Sequence, residues 1–173
     1  KTSAIGAYVR TLKEFEIKFK LMAPTGRAAK VLAGYTGFPS LTIHKQIYRQ
    51  KSMDNGVGQF SLDFNRDNDT VYIVDEASLI TIDSSSSSFG SGNLLEDLIS
   101  YIRNGSDNKL ILIGDNAQLP PISLDRSPAL DVPYMEGYGP VEWVSMKSVV
   151  RQELESGILY NATLLRKAIA LEE

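Results

Sequence analysis

Apolar and polar positions along the chain switch repeatedly between a helical and a strand period. Ile5, Val9 and Leu12 recur at helical spacing and predict a helix over residues 3–14. "IKFKLMA" (17–23) alternates before turning fully apolar, which suits a strand. "APTGRAAKVLAG" follows as a turn, a short Ala-rich helix and a glycine stop. "VYIVD" (71–75) and "KLILIGD" (109–115) are short runs rich in Ile, Val and Leu, as in strands buried on both faces of a parallel sheet. "VEWV" (141–144) reads as a fourth strand and "LLEDLISYI" as a helix. Strands separated by helices predict an α/β fold with its functional site at the carboxyl ends of the strands.

Two segments interrupt this rhythm. Residues 48–70 contain an Asn-Gly pair among alternating apolar positions and predict a β-hairpin excursion. Residues 81–93, "TIDSSSSSFGSGN", form a low-complexity loop that reads as a flexible linker. Neither divides the core, so residues 1–173 are expected to form one domain. Near the end, Ile158, Ala162, Leu165 and Ile169 lie at helical spacing and predict a helix with a core-facing or interdomain stripe.

Composition narrows the function classes. The net charge of −3 offers no global basic field, so nucleic acid would have to be held by a local stripe of Lys and Arg. The chain has no Cys, which excludes a disulfide framework and thiolate metal sites. His44 is the sole histidine, so a multi-His metal site is excluded too. The longest apolar runs are too short to cross a bilayer, and no signal peptide is visible in the sequence. No membrane partner is expected, and a cytoplasmic location fits. A start on Lys rather than Met points to a fragment, a trimmed chain or a further segment ahead of residue 1.

Three stretches carry chemistry. In "VYIVDEAS" a buried strand ends in Asp75-Glu76, two carboxylates where a parallel sheet puts its ligand. One can hold a hard cation that bridges phosphates, and the other can orient or deprotonate a water. The plainer alternative is an acidic turn opening the next helix. In "LILIGDNAQLPPI", Gln118 sits on a loop stiffened by Pro120-Pro121, and its amide can both donate to a phosphate oxygen and accept from water. The alternative there is an ordinary strand exit. The opening "KTS" has the form in which a phosphate-binding loop ends, although no Gly-rich stretch precedes it in this sequence.

Taken in order, "KTS", "APTGRAAKVL", "TIHK", "VYIVDEAS", "GDNAQLPPI" and "VVRQ" resemble the first motor domain of superfamily 1 DNA helicases. The similarity is to the RecD-like type, the α-subunit type of exodeoxyribonuclease V, and spans residues 1 to about 170. It implies a P-loop NTPase (RecA-like) three-layer α/β domain with a mostly parallel sheet and a small hairpin insertion. It implies ATP and Mg²⁺ as cofactors and single-stranded DNA as partner. Lys1 would contact the β- and γ-phosphates, while Thr2 and Asp75 would hold Mg²⁺, Asp75 by way of water. Glu76 would activate the hydrolytic water, Gln118 would sense the γ-phosphate, and Arg151 would reach it from the far edge of the site. These groups are expected to converge on one cleft. Pro24, Thr25, Gly26, Arg27 and Lys30 match the family's DNA-contacting segment, where a helix start favours phosphate. Thr42 is a natural helix cap, and His44 beside it is either a DNA contact or a packing residue. Tyr35, Phe38 and Tyr48 are read chiefly as packing residues, with base stacking as the alternative.

The function so implied is ATP hydrolysis coupled to translocation on single-stranded DNA, in recombination or repair. The implied partners are a second motor domain of the same polypeptide and subunits of a nuclease complex. Two departures from the family stand out: the Gly-rich loop does not precede Lys1, and no second motor domain follows within the sequence. The piece alone is therefore expected to be inactive. Two other readings stay open, a P-loop ATPase that remodels protein and a DNA-binding module without catalysis.

Overall fold

The computed structural model describes residues 1–54, 57–82, 89–118, 120–121, 124–146 and 161–165, with only the backbone of Thr2 and of residues 51–54 and 57–59. By internal contacts the chain divides into two compact units, Lys1–Val141 and Glu142–Glu173. In the first, helix α1 (Thr2–Glu14) leads to strand β1 (Lys18–Ala23), helix α2 (Gly26–Thr36), the short strand β2 (Ser40–Thr42) and helix α3 (Ile43–Ile47). A hairpin of β3 (Tyr48–Asp54) and β4 (Val57–Leu62) follows. Strand β5 (Thr70–Asp75), helix α4 (Leu94–Arg103), strand β6 (Lys109–Ile113) and helix α5 (Val132–Glu136) complete it.

The main sheet is parallel throughout, in the order β2-β1-β5-β6, and the hairpin stands apart as an antiparallel pair. Every residue of β5 is buried, because helices cover both faces of the sheet. Its alternate side chains serve two cores. Val71 and Ile73 pack with Ile5, Val9 and Leu12 of α1 and Leu32 of α2. Tyr72 and Val74 pack with Ile43 and Ile47 of α3 and with Leu95, Leu98 and Ile102 of α4. The three-layer α/β expectation is met, and so is the separate hairpin, whose Asn55-Gly56 turn lies outside the described residues.

"VEWV" is not a strand: residues 141–144 carry no secondary structure. Strand preference is realised only where side chains pack against neighbours, and Trp143 and Val144 remain 66% and 84% exposed. The fourth strand is Ser40–Thr42 instead, paired with Leu21–Ala23 at the edge. In the second unit residues 161–165 are helical and include Ala162 and Leu165, while Ile158 and Ile169 lie outside the described residues.

The described end of the Ser-rich loop is a packed anchor; residues 83–88 lie outside the described set. Phe89 stacks on Phe60 of the hairpin with centroids 4.5 Å apart, and the Gly90 N–H donates to the Phe60 carbonyl at 2.9 Å. Asp97, buried in the first turn of α4, accepts from the Tyr48 hydroxyl at 2.7 Å and the Ser91 N–H at 2.9 Å. Burial pushes the Tyr48 phenol well above its ordinary range, and the Asp97 carboxylate adds to that.

Candidate functional site

Because the main strands run parallel, their carboxyl ends share one edge of the sheet, where ligands of open α/β folds bind. Strand β5 ends there in Asp75, followed by Glu76. Register pairs Asp75 with Ile113, so the Gly114-Asp115 exit of β6 leaves beside the acidic pair. A Cβ on Gly114 would lie 2.5 Å from Leu130 Cδ1 and 3.0 Å from the Ser78 backbone nitrogen. Only glycine lets β6 end this close to the turn after Glu76.

Lys1, the N-cap of α1, reaches this edge from the other end of the sequence. Its Nζ lies 2.6 Å from Glu76 Oε1 and 3.0 Å from Asp75 Oδ1. Burial pulls the ammonium pKa down, but the hydrogen bond to Glu76 and the charge of Asp75 outweigh it, leaving the value above ordinary. A raised lysine pKa gives stability that is present below the unfolded value and is lost only as alkaline pH passes the folded one.

The two carboxylates are not equivalent. Asp75 is 5% exposed and has donors on both oxygens. Oδ1 takes Lys1 Nζ and, at 2.9 Å, the Glu76 N–H; Oδ2 takes the Tyr35 hydroxyl at 2.8 Å. Glu76 stands in the left-handed region, φ 54° and ψ 38°, which turns its side chain out of the strand direction. Its Oε1 binds Lys1, while Oε2 is buried with no hydrogen-bond partner among the described residues. Asp75 thus has both oxygens engaged, whereas Glu76 keeps one oxygen without a donor among the described residues.

A cleft of about 230 Å³ opens over this pair, lined by Thr25, Arg27, Ala28, Val31, Asp75 and Glu76. Thr25 caps α2, its hydroxyl accepting from the Ala28 N–H at 3.2 Å. That bond secures the helix start and leaves the outer N–H groups of the first turn at the cleft mouth. Pro24 is half-buried at the end of β1, while Thr25, Gly26, Arg27 and Lys30 are exposed.

The remaining expected residues divide. Thr2 is the first residue of α1, beside Lys1. Gln118 lies on the loop after β6 at the same sheet edge, but its side chain is exposed and its Nε2 turns back to Asp115 Oδ2 in a long 3.5 Å contact. Arg151 lies outside the described residues. Thr42 caps α3 as expected, accepting from the Lys45 N–H at 3.2 Å. His44 packs between Phe89 and Tyr48, at 5.1 and 5.6 Å between ring centroids. Phe38 meets Phe19 edge-on at 5.2 Å, so packing accounts for it as it does for Tyr48. Tyr35 is the surprise. Its bond to Asp75 has only a faint sequence signal: it shares a helix face with Ala28 and Val31, at spacings of seven and four.

Burial lowers the His44 pKa below the ordinary 6.5. A depressed pKa gives stability that is present above the unfolded value and is lost as pH falls through the folded one. With no other histidine in the chain, melting temperature should fall between neutral pH and pH about 5.5, before ordinary carboxylates titrate. Thermal melts across this range should show the slope, and His44→Phe should flatten it.

Among the described residues no group of three or more His, Asp or Glu could cage a metal ion. Mg²⁺ takes most ligands from water and phosphate and needs only one or two protein oxygens, which the end of β5 could offer. The Glu76 oxygen with no partner among the described residues and the lysine paired across both carboxylates also fit a site for a metal–phosphate group.

A P-loop type α/β sheet with its lysine, acidic pair and helix starts at one edge is the class of nucleotide-hydrolysing domain this geometry defines. The chain belongs to the AAA domain family, whose model matches residues 1–168, and is an AAA-type P-loop ATPase domain. No curated protein matches the chain. Among the described residues no helix is long and apolar enough to cross a membrane.

Proposed function

We propose that this domain is the first motor domain of a RecD-like DNA helicase, which turns ATP hydrolysis into movement along single-stranded DNA. The observation that carries the reading is the shared cleft. The acidic pair and the start of α2, with Thr25 and Arg27, line the same space, so phosphate chemistry and a polyanion contact are neighbours.

In this mechanism Lys1 exchanges its carboxylate partners for the β- and γ-phosphates of ATP. Thr2 and Asp75 would hold Mg²⁺. The bound cation supplies neutralisation of the charge developing on the phosphate oxygens. Glu76 orients the attacking water and takes its proton at Oε2, the oxygen that has no donor among the described residues. Gln118 senses the terminal phosphate, which requires its amide to swing away from Asp115, and Arg151 adds positive charge from the far side. Pro24, Thr25, Gly26, Arg27 and Lys30 grip the DNA backbone, with Thr42 and His44 at the border of that track. A second motor domain of the same polypeptide closes the ATP cleft, and nuclease-complex subunits are the expected company in the cytoplasm.

The salt dependence of single-stranded DNA binding tests the grip. If Arg27 and Lys30 each neutralise one phosphate, changing both to Ala in the intact protein should reduce the log–log salt slope by about 1.4. An unchanged slope would remove α2 from the DNA track.

A further inference from the structure

The hydrogen bond from Tyr35 to Asp75 joins two parts of the site that the helicase reading treats separately. Helix α2 begins at the proposed DNA contact and lines the cleft through Thr25, Arg27, Ala28 and Val31. Near its other end, Tyr35 sends its hydroxyl back to Asp75 Oδ2 at 2.8 Å. The helix therefore shares a cleft with the acidic pair and is bonded to it through a phenol. Ala29 and Leu32 are buried on its core side, and Gly37 stops it in the left-handed conformation, φ 78°. These features make α2 one continuous helix between the Thr25 cap and Gly37.

We propose that Tyr35 is a positioning residue that couples the DNA-contacting helix to the Mg²⁺-holding carboxylate. The inference rests on the helicase reading above and deepens it. Asp75 Oδ1 faces Lys1 and the Glu76 N–H, so the carboxylate plane is fixed by Tyr35 on the remaining oxygen. When DNA draws on the start of α2, the phenol carries that displacement to Asp75. When Lys1 leaves for a phosphate, Tyr35 still holds Oδ2, and the orientation of Oδ1 survives the exchange. Coupling is reciprocal, so nucleotide must alter DNA affinity by the same factor as DNA alters nucleotide affinity. Phenylalanine at this position keeps the ring and removes the hydroxyl that donates to Asp75.

The experiment compares intact wild type with Tyr35→Phe by two readouts. The first is affinity for a fluorescent single-stranded oligonucleotide, with and without Mg²⁺ and a non-hydrolysable ATP analogue. The second is the thermal shift that Mg²⁺ adds to the analogue alone, which needs no DNA. A hydrogen bond to a charged group makes a change of roughly tenfold the expected scale. Tyr35→Phe should bring the ratio of the two DNA affinities close to one, leave nucleotide-free DNA binding unaltered, and shrink the Mg²⁺-dependent part of the shift. A merely structural tyrosine would lower the melting temperature and leave the ratio as in wild type, which overturns the proposal. If wild type binds no DNA, the helicase reading fails on that readout. The Mg²⁺ shift then still decides the phenol's hold on Asp75, and an equal shift in both proteins overturns it.

Discussion

Glu76→Gln should lower the turnover of ATP in the intact protein by about 10²–10⁴-fold while leaving nucleotide binding in place, the range expected for loss of a general base. On the proposed mechanism this loss falls on Glu76 and not on its neighbour. Asp75 has both oxygens occupied, by Lys1, the Glu76 N–H and Tyr35, whereas Glu76 Oε2 is buried without a donor among the described residues. The glutamine oxygen can still accept from Lys1 Nζ, so the variant should fold and keep the lysine at the cleft. Turnover and equilibrium binding of a fluorescent ATP analogue, measured side by side, check both halves. Retained turnover would show that the attacking water is activated elsewhere.

The second large effect is structural. Gly90 has φ 50°, and a Cβ there would lie 2.0 Å from Asp97 Oδ2 and 2.5 Å from Tyr48 Cε1. Gly90→Ala combines a left-handed backbone with a side chain driven into the Tyr48–Asp97 bond, and should cost about 2–4 kcal/mol. Gly34 supplies the control. It sits within α2, and a Cβ there would meet nothing within 4 Å, so Gly34→Ala should stabilise by about 0.5–1 kcal/mol. Urea unfolding midpoints read both. Equal midpoints for Gly90→Ala and wild type would mean that the loop end is not anchored as described.

Much of the architecture can be read from the sequence because it rests on local patterns. The apolar runs of β5 and β6, the alternation of β1 and the periodicity of α1 and α4 each report a packed face, although only β5 is buried throughout and β6, expected to be buried on both faces, is only partly covered. The Thr25 and Thr42 caps are legible for the same reason, since a cap needs only its own next turn. What the sequence hides is set by distant partners. The edge strand at 40–42 has three residues and no apolar run; its pairing with β1 makes it a strand. "VEWV" has the run and lacks the pairing. Phe89, at the end of a serine tract, carries no sign that it will stack on Phe60, because that contact spans the hairpin and a strand.

The candidate site divides in the same way. Asp75 and Glu76 are legible as the polar end of a buried strand, and Lys1 as the start of a helix. That Lys1 pairs with both carboxylates follows from the packing of α1 against β5, which local patterns do not report. Tyr35 is the extreme case. Beyond the helix face it shares with Ala28 and Val31, nothing in its neighbourhood in sequence distinguishes a packing tyrosine from one that binds Asp75 forty positions away.

The most direct test of the central claim is hydrolysis of ATP by the intact protein in the presence of different polymers. Initial rates would be compared with no polymer, with single-stranded DNA and with an unfolded polypeptide, at one fixed salt concentration. The account predicts that single-stranded DNA raises the rate and the polypeptide does not. A rate that ignores DNA, or that rises with the polypeptide instead, would contradict it and leave an AAA-type ATPase domain that works on something other than DNA.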